Sequence, residues 1–117
     1  MSHMIKQTLD CDVASFTSPA KALDALPLLN PAVVATDFNM PEMNGLEFIR
    51  SAGKSLPRTS FLLITGHDLS AREAELAELP RLRACLGKPC SWRTLADEIV
   101  RIWPDHLPKP AYRVAVR

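Results

Sequence analysis

Apolar residues along this chain fall into two alternating patterns: short continuous runs, and longer stretches that recur every three or four positions. Residues 13–16 form a short β-prone run. Residues 32–36 (AVVAT) and 61–65 (FLLIT) are continuous apolar runs, the pattern of strands buried on both faces. Residues 83–87 (RACLG) make a weaker strand. Helical stretches lie between them. Ser18 offers an N-cap and Pro19 suits the first helical position. Ala22, Leu23, Ala25 and Leu26 follow, and Pro27 is expected to stop that helix. Leu46 and Ile49 share one face of a helix over 46–52. Ser70 and Glu73 read as a capping box opening a helix over 71–79. Ser91 precedes Trp92, Leu95, Ile99 and Ile102, an i, i+3, i+7 stripe that Pro104 closes.

The order is therefore β-α-β-α-β-α-β-α, then a proline-rich tail over 104–111 and a candidate strand over 112–116. Alternating β and α elements predict a parallel sheet with helices on both faces. In such sheets functional groups collect at the carboxyl ends of the strands. Those ends are marked here by Asp37, Thr65 and Lys88, so a carboxylate, a hydroxyl and an ammonium are expected to converge on one rim.

That trio fits one chemistry well. A carboxylate at the end of a buried strand is a candidate nucleophile. Attack on phosphorus makes an acyl phosphate, and the charge on the transferred group must be met by cations and donors. Lys88 supplies a point charge and Thr65 a hydrogen bond. Pro89 restricts the turn that carries Lys88, through its fixed φ or a cis bond. Asn39 and Met40 lie in the loop after Asp37, and Gly45 permits a turn into the next helix. Taken singly, Asp37 also reads as a loop acid, Thr65 as a β-branched strand end and Lys88 as a solvated cation. Three such residues at three strand ends are much harder to ascribe to accident.

Composition narrows the class. The chain has 117 residues, 47% of them apolar, which suits one domain with a real core and excludes global disorder. A net charge of +1 and a pI near 7.8 give no basic field for nucleic acid. No apolar run reaches the ~18 residues of a membrane span. Residues 1–4 have no apolar signal core, and residues 2–4, which have the look of a cloning remnant, are left out of the fold reasoning. Cys11, Cys85 and Cys90 have no metal-binding spacing and leave one thiol over, so they read as reduced and point to the cytoplasm.

At these residues the chain resembles the response regulator receiver family of bacterial two-component signalling. Segment 36–45 (TDFNMPEMNG) is similar to that family's phosphoacceptor loop, with the aspartate, Met-Pro and glycine at the expected offsets. Segment 62–66 (LLITG) resembles the strand that ends in the switch hydroxyl, and 86–89 (LGKP) the lysine–proline turn. The resemblance covers residues 5–103, with the motifs in family order, and sets 104–117 apart as a tail. It implies a flavodoxin-like, doubly wound parallel α/β sheet of order 2-1-3-4-5. It also implies Asp37 as phosphoacceptor from a histidine kinase or phosphotransfer protein, Thr65 as switch and Lys88 as phosphoryl-binding cation. Mg²⁺ would be held by Asp37 and the Asn39 backbone carbonyl. It implies a phosphoprotein that is not an enzyme and binds neither nucleic acid nor membrane through this chain, and it leaves an output domain, a target protein and a homodimer open as partners.

The chain departs from the family in one large respect. The family's first strand, which ends in two Mg²⁺-binding acids, has no counterpart, and residues 5–9 align only with the end of the first helix. Asp10 and Asp12 precede the 13–16 strand, which puts them at the opposite end of the sheet as turn acids. Mg²⁺ wants near-octahedral oxygen ligation, so metal affinity is expected to be poor. Cys85 stands where the family usually has a reporting aromatic, and Cys90 is likewise small. Loss of a central strand forfeits roughly 6–12 kcal/mol of apolar burial, which rivals the stability of a whole domain. The tail is one candidate to fill the slot, in its own chain or a neighbour's, and would bring Arg117 toward the place of the acids. Against that, Tyr112, Val114 and Val116 alternate with Arg113, Ala115 and Arg117, which suits a half-exposed strand, and a disordered tail is the other reading.

The remaining residues read as structural: Trp92 and Trp103 as core or rim anchors, His67 as a loop histidine, and Arg72, Glu73 and Glu75 as a solvated helix face. Two further functions compete with the phosphoacceptor. One is a receiver-like interaction module that neither binds Mg²⁺ nor becomes phosphorylated. The other is an aspartyl phosphatase, which the Asn39 amide disfavours because it cannot shuttle a proton at neutral pH.

Overall fold

The computed structural model of the protein describes residues 12–16, 18–39, 42–66, 69–103 and 113–116. The elements run β1 (Asp12–Ser15), α1 (Pro19–Leu29), β2 (Val33–Asp37), α2 (Gly45–Gly53), β3 (Ser60–Thr65), a 3₁₀ turn (Ser70–Arg72), α3 (Glu73–Ala77), β4 (Leu82–Gly87), α4 (Trp92–Ile102) and β5 (Arg113–Val116). All strands pair in parallel in one sheet of order β1-β5-β2-β3-β4.

The continuous apolar runs are strands because both faces of the sheet are covered. Successive side chains of a strand point to opposite faces. Val33 and Ala35 of β2, with Leu62 and Ile64 of β3, join Leu95, Ala96, Ile99 and Ile102 of α4 in one core cluster. Val34, Phe61 and Leu63 join Ala22 and Leu26 of α1 and Leu46, Phe48, Ile49 and Ala52 of α2 in the other. The doubly wound architecture expected from the β/α alternation is thus present.

The helix signals are mostly obeyed. Ser18 caps α1 by accepting a hydrogen bond from the Lys21 amide, and Ser91 caps α4 by accepting one from the Thr94 amide. Two differ from expectation. Pro27 does not end α1, which continues to Leu29 and closes on Asn30 in the left-handed conformation. A proline lacks an N–H and its ring crowds the carbonyl four residues back, yet the Asn30 amide still donates to the Leu26 carbonyl at 2.8 Å. Ser70 lies inside the 3₁₀ turn rather than capping a long helix, and α3 is only five residues. The capping box belongs to α2 instead, where Asn44 and Glu47 satisfy each other's backbone amides at 2.9 and 3.0 Å.

β5 decides the topology. Val114 is in register with Val13 on one side and Val33 on the other, and Val116 with Ser15 and Ala35. The C-terminal strand therefore lies between β1 and β2, the place of the first strand in the receiver order. The C-terminal segment, read from its alternation as a half-exposed strand, is thus interior to the hydrogen-bonded order.

Candidate functional site

Parallel strands end at a common rim, and the three residues singled out from the sequence stand there. Asp37 is the last residue of β2, Thr65 the last of β3, and Lys88 follows β4 directly. Asp37 is set by the ladder around it: the next residue, Phe38, donates its amide to the Ile64 carbonyl at 2.9 Å. The Phe38 carbonyl in turn accepts from the Gly45 amide at 2.6 Å, which closes the loop 38–45 against the start of α2. Lys88 is set by its own amide, which donates to the Thr65 carbonyl at 2.9 Å, and by a cis peptide bond to Pro89.

These constraints bring Lys88 Nζ to 3.3 Å from Asp37 Oδ1. Neither group is sealed: the side chains are 48% and 35% exposed, so the pair is open to a reactant from solvent. Thr65 is buried at 7% exposure and is tied to Lys88 through the backbone. Asn39 is exposed, two residues past Asp37. The rim thus joins a carboxylate to a cation with a hydroxyl-bearing residue at the neighbouring strand end, an arrangement suited to holding an anionic group on the Asp37 oxygen.

Two features at the rim were not legible beforehand. Gly45 reads from sequence as a turn residue, but its role is close approach: a Cβ there would lie 2.5 Å from the Asp37 carbonyl oxygen and 2.6 Å from Leu63 Cδ1. The Arg72 guanidinium stacks 5.2 Å from the centroid of the Phe38 ring, which links the loop after Asp37 to the turn after β3. Arg72 looked like part of a solvated face, and no sequence pattern signals the stacking. Cys85 is exposed, and burial nevertheless pushes its thiol up from the ordinary value. It lines an open depression of about 380 Å³ together with Thr65, Leu69, Glu73 and Leu76. Trp103 is buried in the α4 cluster, as an anchor should be. His67 and Asp10 lie outside the described residues, and Asp12 begins β1, at the end of the sheet remote from Asp37.

A parallel α/β sheet whose rim pairs an aspartate with a lysine defines the class as a doubly wound α/β module with an ion-paired carboxylate at its strand ends. Comparison with known proteins identifies the particular family: the profile described as "Response regulator receiver domain" matches residues 1–100, and the chain belongs to that family. It is 32% identical over 90 residues to the response regulator receiver protein CpdR of Brucella abortus, covering 77% of this chain and 74% of that protein. It is 38% identical over 94 residues to a protein-glutamate methylesterase/protein-glutamine glutaminase of Agrobacterium fabrum, covering 76% of this chain and 26% of that protein. The chain spans about a third or less of the methylesterase relatives it matches first. Among solved structures, the chemotaxis protein CheY4 of Vibrio cholerae superposes with a TM-score of 0.72 at 24% identity, covering 86% of this chain and 88% of that one. No helix among the described residues is long and apolar enough to cross a membrane.

Receivers typically bind Mg²⁺, and the described residues at this rim do not by themselves fit that ion. Octahedral Mg²⁺ needs several oxygen ligands, usually with more than one carboxylate where no phosphate is yet present. Asp37 supplies one, and Lys88 already stands against it. Among the described residues no group of three or more His, Cys, Asp or Glu is placed to hold a metal. The neighbouring strand β5, Arg-Val-Ala-Val, adds no carboxylate.

Proposed function

We propose that this chain is a phosphoacceptor module of two-component signalling, with Asp37 receiving a phosphoryl group from the phosphohistidine of a histidine kinase or phosphotransfer protein. The P–N bond of the donor breaks as a P–O bond to Asp37 forms, and the histidine keeps the electron pair. The observation that carries this reading is the 3.3 Å contact of Lys88 Nζ with Asp37 Oδ1 at an exposed rim. Lys88 is the cation that meets the phosphoryl oxygens, and Thr65 donates its hydroxyl to the product. The acyl phosphate shifts Thr65, and with it the depression by Cys85, between two arrangements that a target or output domain tells apart. The module turns over no substrate of its own.

The test is phosphorylation by a small-molecule donor such as phosphoramidate, followed by intact mass. One hydroxylamine-labile phosphoryl group is expected, absent in Asp37→Asn. Label that persists in Asp37→Asn refutes the assignment. Failure of the wild-type chain to take any label favours a second reading, a receiver that docks partners without phosphorylation. That reading draws its support from the lack, among the described residues, of any group of three or more His, Cys, Asp or Glu placed to hold a metal.

A further inference from the structure

We propose that a depression at the amino-terminal ends of β3 and β4 is a binding site for a small organic anion with an apolar body, an aromatic or short acyl carboxylate. Asp37 stands at the opposite end of the sheet, so the site exists whether or not Asp37 is phosphorylated.

The depression has a volume of about 330 Å³. Its floor is Ile49, Phe61 and Leu79, all buried. They come from α2, from the second residue of β3 and from the turn ahead of β4. Phe61 precedes Thr65 along β3 by roughly 13 Å, at about 3.3 Å per residue, which separates this site from the rim. Gly53, the last residue of α2, borders the space. A Cβ on Gly53 would meet nothing within 4 Å, and its φ is not positive. The helix therefore does not need a glycine there, and the missing side chain leaves the space beside the apolar floor open.

The border is cationic. Arg50, Lys54 and Arg81 line the depression against one carboxylate, Glu78, so three cations and one acid leave two positive charges in excess. Arg50 Nη2 stands 3.4 Å from Glu78 Oε2, with the side chains 45% and 70% exposed. Among the described residues neither Lys54 nor Arg81 has an ion-pair partner.

Excess positive charge beside an apolar floor selects the occupant. An inorganic anion gains nothing from the floor, a neutral ring gains nothing from the border, and a cation is repelled by it. A guanidinium matches a carboxylate through paired N–H donors. An ion pair as exposed as Arg50–Glu78 is weak, so an entering carboxylate can displace Glu78 from Arg50. Glu78 is thus a competitor for the site as well as part of its border. The volume is near the lower end for small-molecule sites, about 300–1,000 Å³, and suits one or two rings with a head group. A protein partner fits less well. Protein interfaces carry an apolar centre within an extended patch. The large apolar side chains exposed among the described residues are Leu28 and Val100, and neither borders the depression.

The test titrates the whole ¹⁵N-labelled chain with indole-3-propionate, its neutral amide and tryptamine, and follows the backbone amide shifts. The carboxylate should give saturable shifts centred on Gly53, Phe61, Leu79 and Arg81, with a Kd on the order of 1 mM. The neutral amide and tryptamine should bind at least about fivefold more weakly. Glu78→Gln should tighten the carboxylate at least about twofold, and Arg50→Gln with Arg81→Gln should weaken it at least about fivefold. Gly53→Leu places a side chain in the space and should abolish binding while circular dichroism shows the wild-type fold. If that chain does not fold, the three compounds and Glu78→Gln decide the matter alone. Absence of saturable shifts up to roughly 10 mM, shifts centred elsewhere, or equal binding of the three compounds overturns the proposal. So does undiminished binding in a folded Gly53→Leu chain, or a Glu78→Gln chain that binds more weakly. A peptide of aspartates flanking one tryptophan that binds at least about tenfold more tightly than indole-3-propionate, and loses that affinity in Gly53→Leu, would make the occupant a partner protein's side chain and overturn the small-molecule assignment.

Discussion

Replacing Gly45 by alanine tests how the loop after Asp37 is held. The added methyl would sit 2.5 Å from the Asp37 carbonyl oxygen, 2.6 Å from Leu63 Cδ1 and 3.0 Å from Phe38 Cα. Ordinary contacts begin near 3.4 Å, so the backbone must retreat by most of an ångström. It has little room to do so. Leu63 is fully buried, and the Gly45 amide is bonded to the Phe38 carbonyl at 2.6 Å. Overpacking of this kind costs about 1–3 kcal/mol. Alanine regains less than about 1 kcal/mol of helix propensity at this first helical position. The expected net loss is about 1–2 kcal/mol, a fall in Tm of roughly 5–10 °C for a domain of this size. Thermal and urea unfolding followed by circular dichroism measure it. Gly53→Ala is the control: nothing lies within 4 Å of its Cβ position, and no glycine among the described residues has a positive φ. That change should be neutral or stabilising by up to about 1 kcal/mol. If Gly45→Ala proves as stable as Gly53→Ala, the loop is not packed as described.

Phe61→Ala removes a fully buried ring at the centre of the α1/α2 cluster and should cost about 3–5 kcal/mol in urea denaturation. Ser91→Ala deletes the side-chain acceptor for the Thr94 amide and should cost about 1 kcal/mol in the same assay. Lys88→Ala breaks an ion pair whose groups are one-third to one-half exposed. It should change stability by less than about 1 kcal/mol while slowing phosphoramidate labelling of Asp37 by at least roughly tenfold. Cys85 has a raised thiol pKa from burial, so its thiolate fraction near neutral pH is below that of a free cysteine. Iodoacetamide should alkylate it more slowly than a model thiol at pH 7.5, with the rate rising on to higher pH than the model's; equal rates and profiles would contradict the burial.

The sheet and two of its site residues were legible for one reason. A strand buried on both faces must be apolar throughout, so the runs that became β2 and β3 show in the sequence, and the first polar residue marks the rim. Asp37 and Thr65 are found that way. Lys88 follows a weaker run, because β4 is an edge strand whose Arg83 and Cys85 are exposed. After β3 the chain forms a 3₁₀ turn and a five-residue helix where the pattern predicts one longer helix. Leu76 and Leu79 contact the core but the rest of 70–79 faces solvent, so little packing extends α3, and a Ser-x-x-Glu pattern alone does not. The Asn44–Glu47 capping box was there to be found, since Asn caps as well as Ser does. Pro27 is carried inside α1, three residues before Asn30 closes the helix in the left-handed conformation.

The place of β5 is where sequence and fold separate most. Its residues alternate, which describes the faces of the strand and says nothing about its neighbours in hydrogen bonding. Neighbours are set by which edges need a partner, and β1 and β2 both present one toward the slot. The strand that satisfies both edges need only be β-prone and able to arrive in parallel, and a C-terminal segment meets those terms as well as an N-terminal one. What the two do not share is the chemistry carried at the strand's end. Fold completion therefore tolerates the exchange, while the pocket does not remain the same pocket. In this chain the slot between β1 and β2 is filled and Asp37 and Lys88 are in contact, yet the strand in the slot is the C-terminal one. A likeness over the fold then speaks for the place of Asp37 and Lys88 at the rim more securely than it speaks for a metal.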